Sequence, residues 1–212
     1  MGIKERRERE KAQRSNDILD AAEKVFFSRG MEKATMDEVA EVAELSKGTL
    51  YLYFKSKEDL YLGVILRAME VLKSLFIEAL KVDGPGIEKV EAIGHAYYTY
   101  FREYPDYFNA SLYFEQSELD IEDEENPLAA RCSDLHDAIF ELVIQALEIG
   151  IADGSIRKDI DARNVAYVLW GQCTGMLQIA FMKGEHLQKR HGIGPDMLVT
   201  ASFELIRQAL AR

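Results

Sequence analysis

Four prolines punctuate an otherwise continuous helical pattern, and that alone confines the chain to an all-α fold. Pro85, Pro105, Pro127 and Pro195 are the only prolines in 212 residues. Between them, apolar side chains recur at three- and four-residue steps, the spacing of one helix face. No Asn-Gly or Asp-Gly pair flanked by alternating β-branched residues marks a hairpin.

Caps and breakers then set the helix limits. The first helix is predicted over residues 15–28, with Ile18, Ala21, Ala22, Val25 and Phe26 as its apolar stripe and Gly30 as its stop. Thr35, with Glu38 three residues on, forms a capping box for a short helix through Ala43. Ser46 caps a third, over residues 48–54. Ser56 and Asp59 repeat the box at the start of a fourth helix reaching about Leu80. Some 25 residues at 1.5 Å each give about 37 Å, enough to join an N-terminal unit to a separate body. After the Asp83-Gly84-Pro85-Gly86 break, helices are predicted over 87–104, 106–114, 127–150, 161–183 and 195–211. The acidic run within 115–125 (Glu115, Glu118, Asp120, Glu122, Asp123, Glu124, Glu125) reads as a solvated loop. The pattern amounts to three short helices followed by six in a body, divided here into domains 1–55 and 56–212.

The formal net charge of −11 argues against a polycation that coats nucleic acid, but the charge is unevenly spread. Residues 1–60 carry 12 basic and 13 acidic side chains, against 14 and 24 in residues 61–212. Lys4, Arg6, Arg7, Arg9, Lys11 and Arg14 outnumber Glu5, Glu8 and Glu10 within the first 14 residues, so a phosphate backbone is best tolerated at that end. Two cysteines, Cys132 and Cys173, provide no disulfide framework and suit a reducing compartment. Neither an apolar signal segment nor an uninterrupted bilayer-length apolar stretch is evident, so a cytoplasmic protein with no membrane partner is expected.

Helices as short as the second and third need tertiary support. Val39, Ala40, Ala43, Leu45, Leu50 and Phe54 are placed inward against the first helix, which leaves Lys47, Thr49, Tyr51 and Tyr53 outward. A short helix presenting hydroxyl, aromatic and cationic groups has the geometry of a reading helix in a major groove. Gly48 lets its start lie close to a sugar-phosphate rail. The free N–H groups behind Thr35, Ser46 and Ser56 can receive phosphate oxygens.

The segment Ser46-Lys47-Gly48-Thr49-Leu50-Tyr51-Leu52-Tyr53-Phe54-Lys55-Ser56-Lys57-Glu58-Asp59-Leu60, preceded by Thr35-Met36-Asp37-Glu38-Val39-Ala40, resembles the signature of the TetR/AcrR transcriptional regulators. The resemblance implies a TetR-like fold of about nine helices, with a helix-turn-helix unit joined to a ligand-binding and dimerisation body. It implies that Thr35 and Lys57 hold phosphates and that Ser46, Lys47, Gly48, Thr49, Tyr51 and Tyr53 lie at the groove. Two positions depart from the family pattern. Glu44 stands where a turn glycine is usual, so that backbone position is expected to be less left-handed or strained. Leu52 stands where histidine or another polar residue is common.

One short reading helix contacts too few bases for specificity, so a dimer on near-palindromic, double-stranded operator DNA is expected. Gly171 and Gly175 lie four apart on one helix face, while Leu198, Ala201 and Leu205 form a stripe in the last helix. The resemblance makes these two helices a two-fold homodimer interface. The middle of the chain is dense in aromatics, and Phe76, Tyr97, Phe101, Tyr104, Phe108, Phe114, Trp170 and Cys173 are the candidate lining of a pocket for an apolar or aromatic effector. Cys132 and His136 supply at most two ligands of a four-ligand metal site. No nucleophile elbow, phosphate-cradling loop or metalloprotease helix is present. No enzyme, metal or cofactor is expected. The function this supports is a ligand-released repressor. A DNA-organising protein of the same fold is the alternative, favoured by a body packed without a cavity.

Overall fold

The computed structural model describes residues 2–116 and 126–211. Among these it has nine helices: α1 (Ile3–Arg29), α2 (Met36–Val42), α3 (Lys47–Tyr51), α4 (Lys57–Ala79), α5 (Gly86–Glu103), α6 (Pro105–Gln116), α7 (Pro127–Asp153), α8 (Ala162–His191) and α9 (Pro195–Leu210). The only β-type pairing among the described residues is an isolated antiparallel bridge between Ile156 and Ala211. The all-α expectation is therefore met. Of the acidic run, Glu115 lies on α6, whereas Glu118, Asp120 and residues 122–125 fall outside the described residues.

Three helix ends differ from the sequence reading. α1 starts at Ile3 and not near Ser15. Its added turns have no apolar stripe, but Lys, Glu, Arg and Ala are strong helix formers, and Arg6 pairs with Glu10 at 2.7 Å one turn on. α8 runs past residue 183 to His191, where Gly192 takes a left-handed φ of 70° and closes it. α3 stops at Tyr51, so Tyr53 and Phe54 follow the helix.

The chain forms two compact units. The first takes the described residues up to Ala68 and between Asp106 and Asp134. Ile18, Ala22, Val25 and Phe26 of α1 are buried there, as are Val39 and Ala40 of α2, Leu50 of α3, and Phe54. Burying a Leu or Phe side chain is worth about 1.5–3 kcal/mol, which is what holds helices of five and seven residues in place. This unit reaches past residue 55 because the start of α4 is enclosed: Leu60, Val64 and Ile65 are wholly buried. Tyr61 meets Phe26 and Tyr113 edge-on, with ring centroids 5.5 and 5.8 Å away, and its hydroxyl donates to the Ala110 carbonyl at 2.8 Å. Burial pushes the Tyr61 phenol well above its ordinary pKa, so it remains a donor. Arg67 donates to Asp20 and Glu23 of α1 at 2.6 and 2.9 Å.

The second unit comprises α4 from Met69, α5, α7 from Leu135, α8 and α9. α5 packs on α8 and α9. Its N-terminus meets the end of α7 at a point where only glycine fits: a Cβ on Gly86 would come within 2.0 Å of the Gly150 nitrogen. Pro85, the N-cap of α5, makes no side-chain cap bond. The first N–H groups of α5 are instead taken by residues at and after the end of α7: Gly86 N–H donates to the Asp153 carboxylate at 2.7 Å and Ile87 N–H to Ser155 Oγ at 3.1 Å. Hydrogen bonds from Ser155, and then from Gly86, hold the Asp153 carboxyl below the usual range.

Candidate functional site

In the first unit, the candidate DNA-contacting residues lie in or beside α2 and α3, except Lys57, which opens α4. Thr35 caps α2, accepting from Glu38 N–H at 3.3 Å, while Glu38 accepts from Thr35 N–H at 3.0 Å. Ser46 caps α3, its Oγ accepting from Thr49 N–H at 3.1 Å and lying 2.8 Å from Thr49 Oγ1. Gly48 is open, with Ser46 Oγ 4.0 Å from the place of a Cβ. Tyr51 is 41% exposed and Leu52 80% exposed, while Leu50 is wholly buried. α3 thus turns one side chain into the core and leaves an aromatic, an aliphatic and a cationic group outward.

Two lysines are engaged in different ways. Lys47 pairs with Asp37 at 2.6 Å, and the hydrogen bond to Asp37 holds its ammonium above the ordinary pKa. Both partners are solvent-exposed, so the pair is weak and a phosphate can compete for the lysine. Lys57 is half-buried and donates to the carbonyls of Met31 at 3.0 Å and Glu32 at 3.3 Å. It therefore stitches the α1–α2 turn to the start of α4, a role that sequence reading did not assign to it. Glu44 has φ 55°, the one positive value at a non-glycine residue among those described. The left-handed turn is kept without the glycine that would relieve it.

The second unit holds a cavity of about 60 Å³ lined by Phe76, Val90, Glu91, Ile93, Gly94, Tyr97, Val143, Ala166, Leu169, Trp170, Cys173, Phe203 and Ile206. Phe76, Tyr97, Trp170 and Cys173 of the expected lining are brought together here. The other four are placed elsewhere. Phe101 faces Phe181 and Tyr104 stacks on Tyr100, at 6.5 and 6.1 Å between ring centroids. Phe108 and Phe114 are buried in the first unit. A criterion of aromatic density passes over the aliphatic side chains Val90, Ile93, Val143, Leu169 and Ile206 that share the wall with the rings. Tyr97 Oη and Thr174 Oγ1 satisfy one another at 2.9 Å. Glu91, the one ionisable carboxylate of the lining, is paired with Arg207 at 2.7 Å. Burial pushes the Cys173 thiol up to about 11, so it presents a neutral wall. The cavity offers an apolar surface and no activated nucleophile.

Of the expected interface residues, Gly171, Ala201 and Leu205 are exposed and Gly175 and Leu198 half-buried. A Cβ on Gly171 or Gly175 would meet nothing within 4 Å. Val168, Ile179, Met182, Met197 and Leu205 are each more than half exposed. One window of α8, with mean hydropathy 1.2, would be apolar and long enough to cross a bilayer, although only 28% of it is buried. Exposed apolar side chains thus gather on α8 and α9. Cys132 is buried, its Sγ donating to the Leu62 carbonyl at 3.7 Å, and His136 packs on Phe140 and Trp170. No group of three or more metal-capable side chains occurs among the described residues.

Residues 18–64 match the family model described as bacterial regulatory proteins, tetR family. The chain is 31% identical over 151 residues to the HTH-type transcriptional repressor KstR2 of Rhodococcus jostii, spanning 71% of this chain and 72% of that protein. It is also 31% identical over 134 residues to the HTH-type transcriptional activator FasR of Mycolicibacterium smegmatis, spanning 62% of this chain but only 59% of the relative. The crystal structure of the transcriptional regulator FadR from Bacillus subtilis, in complex with stearoyl-CoA, superposes with a TM-score of 0.70 at 19% identity, covering 91% of this chain and 97% of that one. The capped short helices around an outward α3 and the matches across them lead to one conclusion: the chain belongs to the TetR family of helix-turn-helix transcriptional regulators.

Proposed function

We propose that the protein is a homodimeric repressor that occupies a near-palindromic operator and leaves it when an apolar small molecule enters the second unit. Its domains in this reading are a DNA-binding one, residues 1–55, and an effector-binding and dimerisation one, residues 56–212. The observation that carries the proposal is α3, with Leu50 buried and Lys47, Tyr51 and Leu52 outward. In this reading Thr35, Ser46, Gly48 and Lys57 set the protein on the phosphate rail, and Lys47, Thr49, Tyr51 and Tyr53 reach the groove. Leu52 suits the methyl of a thymine. The exposed apolar face of α8 and α9 pairs two copies, placing their reading helices one helical turn, about 34 Å, or a multiple of it apart.

The cavity supports release by an effector. Ligand pockets usually hold about 300–1,000 Å³, so a site of about 60 Å³ has to open before it holds an acyl chain or a fused-ring hydrocarbon. A ligand of that size binds the opened body better than the closed one, and such a difference is the only thing that can shift the equilibrium. A structural neighbour holds stearoyl-CoA, which agrees with a long apolar guest. The presence of a cavity also speaks against a DNA-organising protein without effector.

The test is a duplex selected by the protein from random-sequence DNA, titrated with the wild type and with Lys47→Ala/Tyr51→Ala. The expected loss of affinity in the variant is at least about 30-fold, from two groove contacts at about 1–3 kcal/mol each. An apolar effector found by screening should weaken wild-type binding about 5–150-fold, for ordinary coupling of about 1–3 kcal/mol. Unchanged affinity in the double variant would overturn the assignment of α3.

A further inference from the structure

We propose that the first turns of α1 form a helical arm whose Lys4, Arg7, Lys11 and Arg14 face grips the phosphates of duplex DNA flanking the bases that α3 reads. The proposal rests on the DNA-binding reading above and extends it to a surface outside the helix-turn-helix.

The face is continuous with the core-facing stripe of the same helix. From Lys4 the steps are three, four and three residues to Arg14, then four to Ile18, four to Ala22 and three to Val25, which is one side of a 3.6-residue helix throughout. Ile18, Ala22 and Val25 are buried, whereas the four cations are exposed. The face that leaves the core therefore turns from apolar to predominantly cationic, with Glu10 beside Arg7 and Arg14. Glu5 lies on another side of the helix, while Glu8 and Glu10 flank the stripe, and Glu10 is taken by Arg6 at 2.7 Å. None of the four cations forms a salt bridge with another described residue.

Position and spacing select the occupant. Arg7, Glu10, Lys11 and Arg14 border an open groove with Tyr53, two residues beyond the end of α3. The stripe thus lies beside the segment that follows the reading helix. Lys4 to Arg14 spans about 15 Å along the helix axis, against one phosphate per about 3.4 Å of axis on each DNA strand. Four like charges on one face repel each other in the free protein and gain from a nearby polyanion. In a chain of net charge −11, the concentration of unpaired cations here is complementary to duplex DNA.

The experiment uses the full chain and the quadruple variant Lys4→Gln/Arg7→Gln/Lys11→Gln/Arg14→Gln. Glutamine keeps helix propensity close to that of the residues replaced, and circular dichroism confirms that the helix is retained. Affinity is measured against salt on a duplex of about four helical turns carrying the selected site, and on the same site trimmed to the bases that α3 protects. On the long duplex the variant should lose at least about 100-fold at low salt. Its slope of log affinity on log salt should flatten by about 0.9 for each phosphate released, about 3.6 per protomer if all four cations engage. On the trimmed site the two proteins should bind within about threefold of each other. Equal slopes and affinities on the long duplex, with Lys47→Ala/Tyr51→Ala still abolishing binding, would overturn the arm and leave the reading helix standing. A wild type that selects no duplex would overturn the DNA-binding reading itself. Loss of binding to phosphatidylserine vesicles without any change on DNA would assign the stripe to a membrane surface and overturn the proposal.

Discussion

Gly86 and Gly175 both sit in helices of the second unit, yet their surroundings are opposite. At Gly86 the backbones of α5 and α7 touch, and an added Cβ would come within 2.0 Å of a main-chain nitrogen. At Gly175, itself half-buried, an added Cβ would meet nothing within 4 Å. The first glycine is used up by the fold of one chain. The second has open space beside it, which fits the proposal that a second copy packs there. Glu44 supplies the third case: a left-handed backbone position, φ 55°, where glycine would be the relaxed choice and is absent.

Substitution separates the three. Gly86→Ala is expected to have the largest effect, a loss of about 3 kcal/mol at the upper end of overpacking costs, because the Cβ meets backbone that cannot rotate away. Urea unfolding of the variant checks it, and a loss under about 1 kcal/mol would mean that α5 and α7 are not locked at this point. Gly175→Leu should leave the stability of the single chain nearly unchanged and weaken dimerisation by about 100-fold, roughly 2.7 kcal/mol. Sedimentation over a concentration series reads this directly. A dimer indifferent to the substitution would move the interface to another part of the exposed face. Glu44→Gly should have the smallest effect and the opposite sign, a gain of about 1 kcal/mol as the strain of a left-handed non-glycine residue is relieved. A thermal midpoint that falls would show Glu44 to be held there by an interaction worth more than the strain.

Much of the first unit is legible in the residues because its determinants are local. A capping box needs Thr35 and Glu38 at a fixed spacing, and both bonds are present. Leu50 and Phe54 are buried as expected, although Phe54 lies past the end of α3. The true start of α1 escapes the same reading for a related reason: apolar periodicity marks only helix that packs, and residues before Ser15 are helical without packing. The three- and four-residue steps, followed upstream from Ile18, bring out Arg14, Lys11, Arg7 and Lys4 as one face. The cavity is only half legible. Phe76, Tyr97, Trp170 and Cys173 line it, whereas Phe101, Tyr104, Phe108 and Phe114, of the same chemistry, do not. Composition shows that a side chain wants burial, and only packing shows which void it borders.

Local spacing is enough to specify the helical class, the order of helices, the caps around α3 and the outward placement of Lys47 and Tyr51, whereas Thr49 and Tyr53 are half-buried. Packing at long range decides the rest. Lys57 stitches the turn before α2 rather than hanging free, and Gly86 rather than Gly175 is spent on a helix crossing. The body closes on a small apolar void. Those outcomes depend on pairs of residues far apart in the chain, whose meeting is set by how whole helices pack and by no local spacing.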